Sequence, residues 1–89
     1  MSIEAQRLAR IRRLFRDGKY YMTRHAREEM EADGLFEEDL AHSVSKCRHG
    51  IVHRGPERTN VRYELWCPAL DGRRVTVICR FDDRDELRV

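Results

Sequence analysis

The chain is poor in the residues that usually announce a specialised scaffold. It has 89 residues with five glycines, two prolines and three cysteines, and aromatic residues make up 8% of it. An odd cysteine count without framework spacing argues against a secreted fold stapled by disulfides. No apolar run approaches the roughly 20 residues needed to span a bilayer, and the basic amino terminus is not followed by a signal-type apolar core. A glycine-rich phosphate loop and a nucleotide-binding fingerprint are both missing. Repeats, low-complexity stretches and Pro/Gly/Ser linkers are absent as well, so a single domain over residues 1–89 is expected, in the cytoplasm. A chain of this size buries only about 60% of the surface its unfolded form exposes, which leaves one modest core to hold it.

What the chain does have is charge: eighteen Lys and Arg against sixteen Asp and Glu, for a net +2. That sum does not make a nucleic-acid binder, but the distribution is uneven. Arg7, Arg10, Arg12, Arg13, Arg16 and Lys19 crowd the first twenty positions, and Glu28, Glu29, Glu31, Asp33, Glu37, Glu38 and Asp39 make the next twenty acidic.

Periodicity divides the chain in two. Leu8, Ile11, Leu14 and Phe15 recur at helical spacing and predict a helix from about Ile3 to Arg16, closed by Asp17-Gly18. Thr23 caps a second helix from Arg24 to about Asp33, ended by Gly34. A third runs from Glu37 to about Cys47, with Leu35 and Leu40 as a hydrophobic staple and Phe36, Leu40, Val44 and Cys47 facing inward. Phe36 makes a poor cap for it. After Gly50 the period falls to two. Strands are expected at Ile51–Arg54, Val61–Cys67 and Arg74–Phe81, with a last one beginning at Leu87. The fold class is therefore α+β, three N-terminal helices with an antiparallel sheet of three to four strands.

The register of the central hairpin can be argued from its faces. Val61, Tyr63, Leu65 and Cys67 form one apolar row and Val75, Val77, Cys79 and Phe81 another, and both should meet the helices. A two-residue turn at Asp71-Gly72 would pair Tyr63 with Arg80 and put those rows on opposite faces. A three- or five-residue loop, or a bulge, is expected near Leu70 to Arg73. The other face then carries Arg62, Glu64 and Trp66 beside Arg74, Thr76, Ile78 and Arg80.

That outer face suits a phosphodiester with a stacked base, because guanidinium groups pair with phosphate oxygens and an indole offers a flat surface. The alternative is a solvated face with cross-strand ion pairs. His25, in the first turn after Thr23, lies where free amides disfavour imidazolium and could serve as a general base, with Arg24 and Arg27 beside it. Equally, His25 could simply pair with Glu29 one turn on. His42, His49, His53, Cys47, Cys67 and Cys79 lack metal-ligand spacing, and the cysteines read as small core residues. No metal or cofactor is expected.

The segment Met22-Thr23-Arg24-His25-Ala26, then Met30, Gly34, Glu38 and Asp39, and the strand Val75-Thr76-Val77-Ile78 resemble an uncharacterised bacterial toxin-like domain family. That family has a Thr-x-His-Ala helix start and is similar to the RelE and MqsR toxins of the barnase, EndoU, colicin and RelE ribonuclease-like superfamily. The likeness runs from about Tyr20 to Val89, with Asp33 standing where the family usually has arginine. It implies helices on one face of a curved sheet whose other face is open to RNA. It further implies the toxin-like half of a toxin–antitoxin pair, a metal-independent endoribonuclease acting on mRNA and held by an antitoxin protein. On that reading His25 is base or acid, Arg62 and Arg80 clamp phosphate, and Glu64 or Tyr63 is the second proton-transfer group; Arg24, Arg27, Trp66 and Arg74 bind RNA. The alternative is a non-catalytic RNA-binding or protein-interaction module that pairs, as a homodimer or with an antitoxin segment, through its C-terminal edge strand.

Overall fold

The computed structural model describes residues 1–55, 61–68 and 72–89. Three helices, α1 (Ala5–Arg16), α2 (Arg24–Ala32) and α3 (Glu37–Ser45), accompany five strands. The strands are β1 (Tyr20–Tyr21), β2 (His49–Arg54), β3 (Val61–Pro68), β4 (Arg74–Phe81) and β5 (Leu87–Arg88). They form one sheet in the order β1-β5-β4-β3-β2. The α+β class is as expected, but the sheet has five strands instead of three or four, and it is mixed: β1 and β5 run parallel, the other pairs antiparallel.

One side of the sheet holds the core. Leu8, Ile11 and Phe15 of α1 and Leu40 and Val44 of α3 meet Tyr63, Leu65, Cys67, Val77, Cys79 and Leu87 in a single cluster. The two apolar rows of β3 and β4 therefore share a face, as the alternation required. Their ladder runs from Tyr63↔Cys79 to Pro68↔Arg74, which leaves five residues for the connection. Residues 69–71 of that connection, and 56–60 of the predicted turn between β2 and β3, lie outside the described residues. All three cysteines are free thiols buried in the core. Burial pushes the Cys79 thiol up to about 12, and Cys67 is raised as well by its hydrogen bond with Cys47 and by burial.

Several local expectations change. Helix α1 starts at Ala5, not Ile3, because the first residues join the sheet. Ile3 N–H donates to Gly50 O (3.0 Å), Val52 N–H donates to Met1 O (2.8 Å), and Ser2 bridges Ile51. Strand β2 begins two residues earlier than Ile51, because His49 and Gly50 pair with Trp66 and Leu65 of β3. Gly50 tolerates this crowding since a Cβ there would lie 2.9 Å from Glu64 O and 3.2 Å from Ile3 Cγ2. Helix α3 ends at Ser45, and Phe36 does not face inward but is 70% exposed. Phe36 sits at the N-cap, where its N–H donates to Asp39 Oδ2 (2.9 Å), and this half of a capping box supplies what the phenyl group cannot. Thr23 does cap α2, its Oγ1 accepting from Ala26 N–H (3.2 Å).

The arginines of α1 are largely structural. Arg10 lies 4.3 Å from the Phe81 ring centroid and pairs with Asp85 at 2.7 Å, while Arg12 donates to Cys47 O at 3.0 Å. The turn between β4 and β5 is organised by Asp82. Its Oδ1 accepts from the N–H groups of Arg84 and Glu86, both at 2.9 Å, and its Oδ2 from the Tyr21 hydroxyl at 2.7 Å. Those bonds hold the Asp82 carboxyl below the usual aspartate range.

Helix α2 differs from the other two in that none of its residues is buried. It starts at the open side of β4, where Thr23 N–H and Oγ1 both donate to Val89 O (3.3 Å each). Helices α1 and α3 thus supply buried core residues, while α2 contributes the partly buried Met30, which packs against the same cluster.

Candidate functional site on the open sheet face

The face turned away from the core is built from alternate residues of four strands. In β2–β3, His53 lies opposite Arg62, Ile51 opposite Glu64 and His49 opposite Trp66. In β3–β4, Glu64 faces Ile78 and Trp66 faces Thr76; in β4–β5, Arg80 faces Arg88. A hydrogen-bonded group crosses this face diagonally. Trp66 Nε1–H donates to Glu64 Oε2 (2.6 Å), and His53 Nε2 lies 3.3 Å from Glu64 Oε1. Arg74 stands over the indole with its guanidinium carbon 5.5 Å from the ring centroid.

Glu64 is the centre of this group. The indole donor is the largest cause holding its carboxyl below the ordinary glutamate range; desolvation opposes it, and the His53 contact and the nearby Arg74 charge add to the lowering. An ionised carboxylate next to an imidazole fixes the orientation of the ring, which is how a carboxylate assists a histidine base. With the proton on Nε2 donated to Glu64, Nδ1 is the nitrogen of the neutral ring left to take a proton.

Next to this group lie cations without anions. Among the described residues Arg62, Arg80 and Arg88 have no ion pair or hydrogen-bonded side-chain partner. Arg62 and Arg80 line two depressions at once. One is shared with His53 and Arg54; the other, a groove of about 460 Å³ along α2, contains His25 and Arg88. The arginine pair thus separates two histidines.

The expected site residues are divided by this arrangement. Arg62, Glu64, Trp66, Arg74 and Arg80 come together on the open face. His25 is 80% exposed on α2, and its Nε2 lies 3.0 Å from Glu29 Oε1, the pairing foreseen as the alternative to a catalytic role. It still lines the groove that holds Arg62 and Arg80. Arg24 and Arg27 are taken up by Glu28 (3.1 Å) and Glu37 (3.6 Å). Tyr63 must be removed from the site. It is a core residue on the helix-covered face, packed edge-on against Phe81 at 6.2 Å between centroids, so it cannot reach the arginines across the sheet.

His53 is the residue the sequence reading did not connect to the site. Its signal was the register of the β2–β3 hairpin, which sets His53 diagonal to Glu64. Among the described residues no three His, Cys, Asp or Glu side chains are grouped as metal ligands would be, and no helix is long and apolar enough to cross a membrane.

No family model matches the chain, and neither the curated proteins nor the solved structures give a match.

Proposed function

We propose that this protein binds single-stranded mRNA on its open sheet face and cleaves it without a metal ion, as the toxin-like member of a toxin–antitoxin pair. The observation that supports the reading best is the pair Arg62 and Arg80, without ion pairs among the described residues, between His53, backed by Glu64, and His25, backed by Glu29. Cleavage of RNA by its own 2′-hydroxyl asks for that set of groups. One group removes the 2′-hydroxyl proton as the 2′-oxygen bonds to phosphorus, cations stabilise the charge on the pentacoordinate phosphate, and a second group gives a proton to the leaving 5′-oxygen. His53 is the base on this reading, His25 the acid, and Arg62 and Arg80 the clamp. The products are a 2′,3′-cyclic phosphate and a free 5′-hydroxyl. Trp66, with Arg74 on its ring, supplies a stacking surface for a flanking base.

The test is cleavage of an unstructured RNA by the purified protein and by His53→Ala, His25→Ala and Arg80→Ala. Loss of general acid–base help is worth about 10²–10⁴-fold, so the two histidine variants should fall by that order. Wild-type cleavage matched by all three variants would refute the assignment. A wild type that binds RNA in a salt-dependent way, loses that binding in Arg80→Ala and cleaves nothing would favour RNA binding without catalysis.

A further inference from the structure

The basic side chains at one end of the open face fall into a line across the sheet. His53 of β2 lies opposite Arg62 of β3, and Arg80 of β4 lies opposite Arg88 of β5. Arg62 and Arg80 adjoin Tyr63 and Cys79, the last pair of the β3–β4 ladder, and both line the same two depressions. The line therefore crosses four strands, about 14 Å at about 4.8 Å per strand. Tyr21 of β1 stands beside Arg88 at its far end.

Such a line is costly in the free protein. Like charges directly opposite each other in a sheet repel, and Arg80 and Arg88 are so placed. Among the described residues none of the three arginines has an ion pair or a hydrogen-bonded side-chain partner. The nearest carboxylates of the sheet stand beside the line and not in it. Glu64 is two residues from Arg62 along β3, and Asp82 is two residues from Arg80, just past the end of β4. Because β3 and β4 run antiparallel, the two carboxylates flank the line on opposite sides. Both are held below their ordinary ranges, Glu64 chiefly by the Trp66 indole and Asp82 chiefly by the Tyr21 hydroxyl, so both are charged at neutral pH. Glu29 and Asp33 share the groove with Arg88, but they belong to α2 and its end, not to the sheet.

This pattern of charge has a direction. A polyanion lying along β3 or β4 would pass from guanidinium to carboxylate within two residues, whereas one crossing from β3 to β5 meets guanidinium groups alone. We infer that a single-stranded nucleic acid crosses the sheet at right angles to the strands, with one phosphate held by Arg62 and Arg80 and the next by Arg88. Guanidinium groups pair with phosphate oxygens through parallel N–H donors, and such contacts carry no information on base or sugar. The line accordingly takes DNA and RNA alike, and Arg88 is a binding residue for a second phosphate. The inference rests on the reading that the open face binds nucleic acid, and not on cleavage.

The probe is a fluorescein-labelled oligodeoxythymidylate of eight nucleotides, which has no 2′-hydroxyl and stays whole even if the protein cuts RNA. Its binding is followed by anisotropy between about 50 and 200 mM salt, the range over which phosphate contacts show themselves. Wild type should bind with log K falling linearly against log salt. Arg88→Gln should flatten that slope by about 0.7, the share of one phosphate in a single strand, and the double variant Arg62→Gln/Arg80→Gln should do the same. Arg88→Lys, which keeps the charge, should restore the slope. Arg13→Gln, at an exposed position of α1, should leave it unchanged. Absence of salt-dependent binding by wild type would overturn the inference. So would a slope lowered by Arg74→Gln but not by Arg88→Gln, which would lay the backbone along β4. Inorganic triphosphate that bound more tightly than the oligonucleotide would overturn it too, by assigning the line to a compact polyanion. Salt-dependent binding that needs Arg88, in a protein that leaves RNA uncut, would uphold the line and remove the cleavage reading alone.

Discussion

Two borders of the same sheet are treated in opposite ways. On the β2 side, Met1 to Ile3 lie alongside the strand, give Gly50 and Val52 backbone partners, and leave Ile51 bridged to Ser2. On the β4 side, a two-residue strand covers one end and the rest faces an open groove. The first border is closed by a segment whose Ile3 also packs against the core; along the second, helix α2 stands beside the groove. Proteins normally blunt exposed strand edges, and among the described residues the β2 border is the more fully covered of the two.

This contrast can be broken from either side. The largest effect is expected at Leu87, the buried residue that anchors β5 to the core. Leu87→Ala should cost about 2–5 kcal/mol in urea unfolding and expose more of β4, because large-to-small core changes leave a cavity. Next is Gly50→Ala at the closed border. A methyl group 2.9 Å from Glu64 O has no room beside paired backbone, and a loss of about 1–3 kcal/mol is expected together with faster exchange of the Ile3 and Val52 amides. The smallest effect at neutral pH concerns the turn that aims β5. Asp82 has a depressed folded-state pKa, so its contribution is complete above the unfolded aspartate value of about 3.9 and disappears as pH falls through the lower folded value. Thermal melts of wild type and Asp82→Asn should differ at pH 7 and converge at pH 2. A difference that persisted in acid would mean that the charge of Asp82 is not what holds the turn.

Much of this architecture was legible in the chain because it is local. Helical spacing from Leu8 to Phe15, the Thr23 cap and the period-two rows of β3 and β4 each need only neighbouring residues. The parity of those rows even fixed the class of connection at 69–73. What was not legible depends on distant pairing. Tyr20–Tyr21 is too short to read as a strand, and it becomes one only through β5, whose turn is tied to it by a bond between residues 61 positions apart. Phe36 carries an apolar side chain at a cap, and no periodicity rule says that Asp39 will satisfy its N–H. At the candidate site, the arginines, Glu64 and Trp66 follow from alternation alone. His53 needed the β2–β3 register, which the strand bounds Arg54 and Val61 already implied but which was not carried through to the contact of His53 with Glu64. Tyr63 was misplaced for a simpler reason: residue type suggested chemistry, but parity had already put it in the core.

The pairing of β1 with β5 also bears on how the domain folds. The β2–β3–β4 meander closes over short separations, whereas Tyr20 and Tyr21 must wait for residues 87 and 88. Long-range closures are slow to form, so the meander should assemble early and the β1–β5 seam late. Until that seam zips, α2 has no anchor through Thr23 and Val89. The kinetics of this step, and not the thermodynamics of the core, should determine how long a newly made chain keeps its groove unformed.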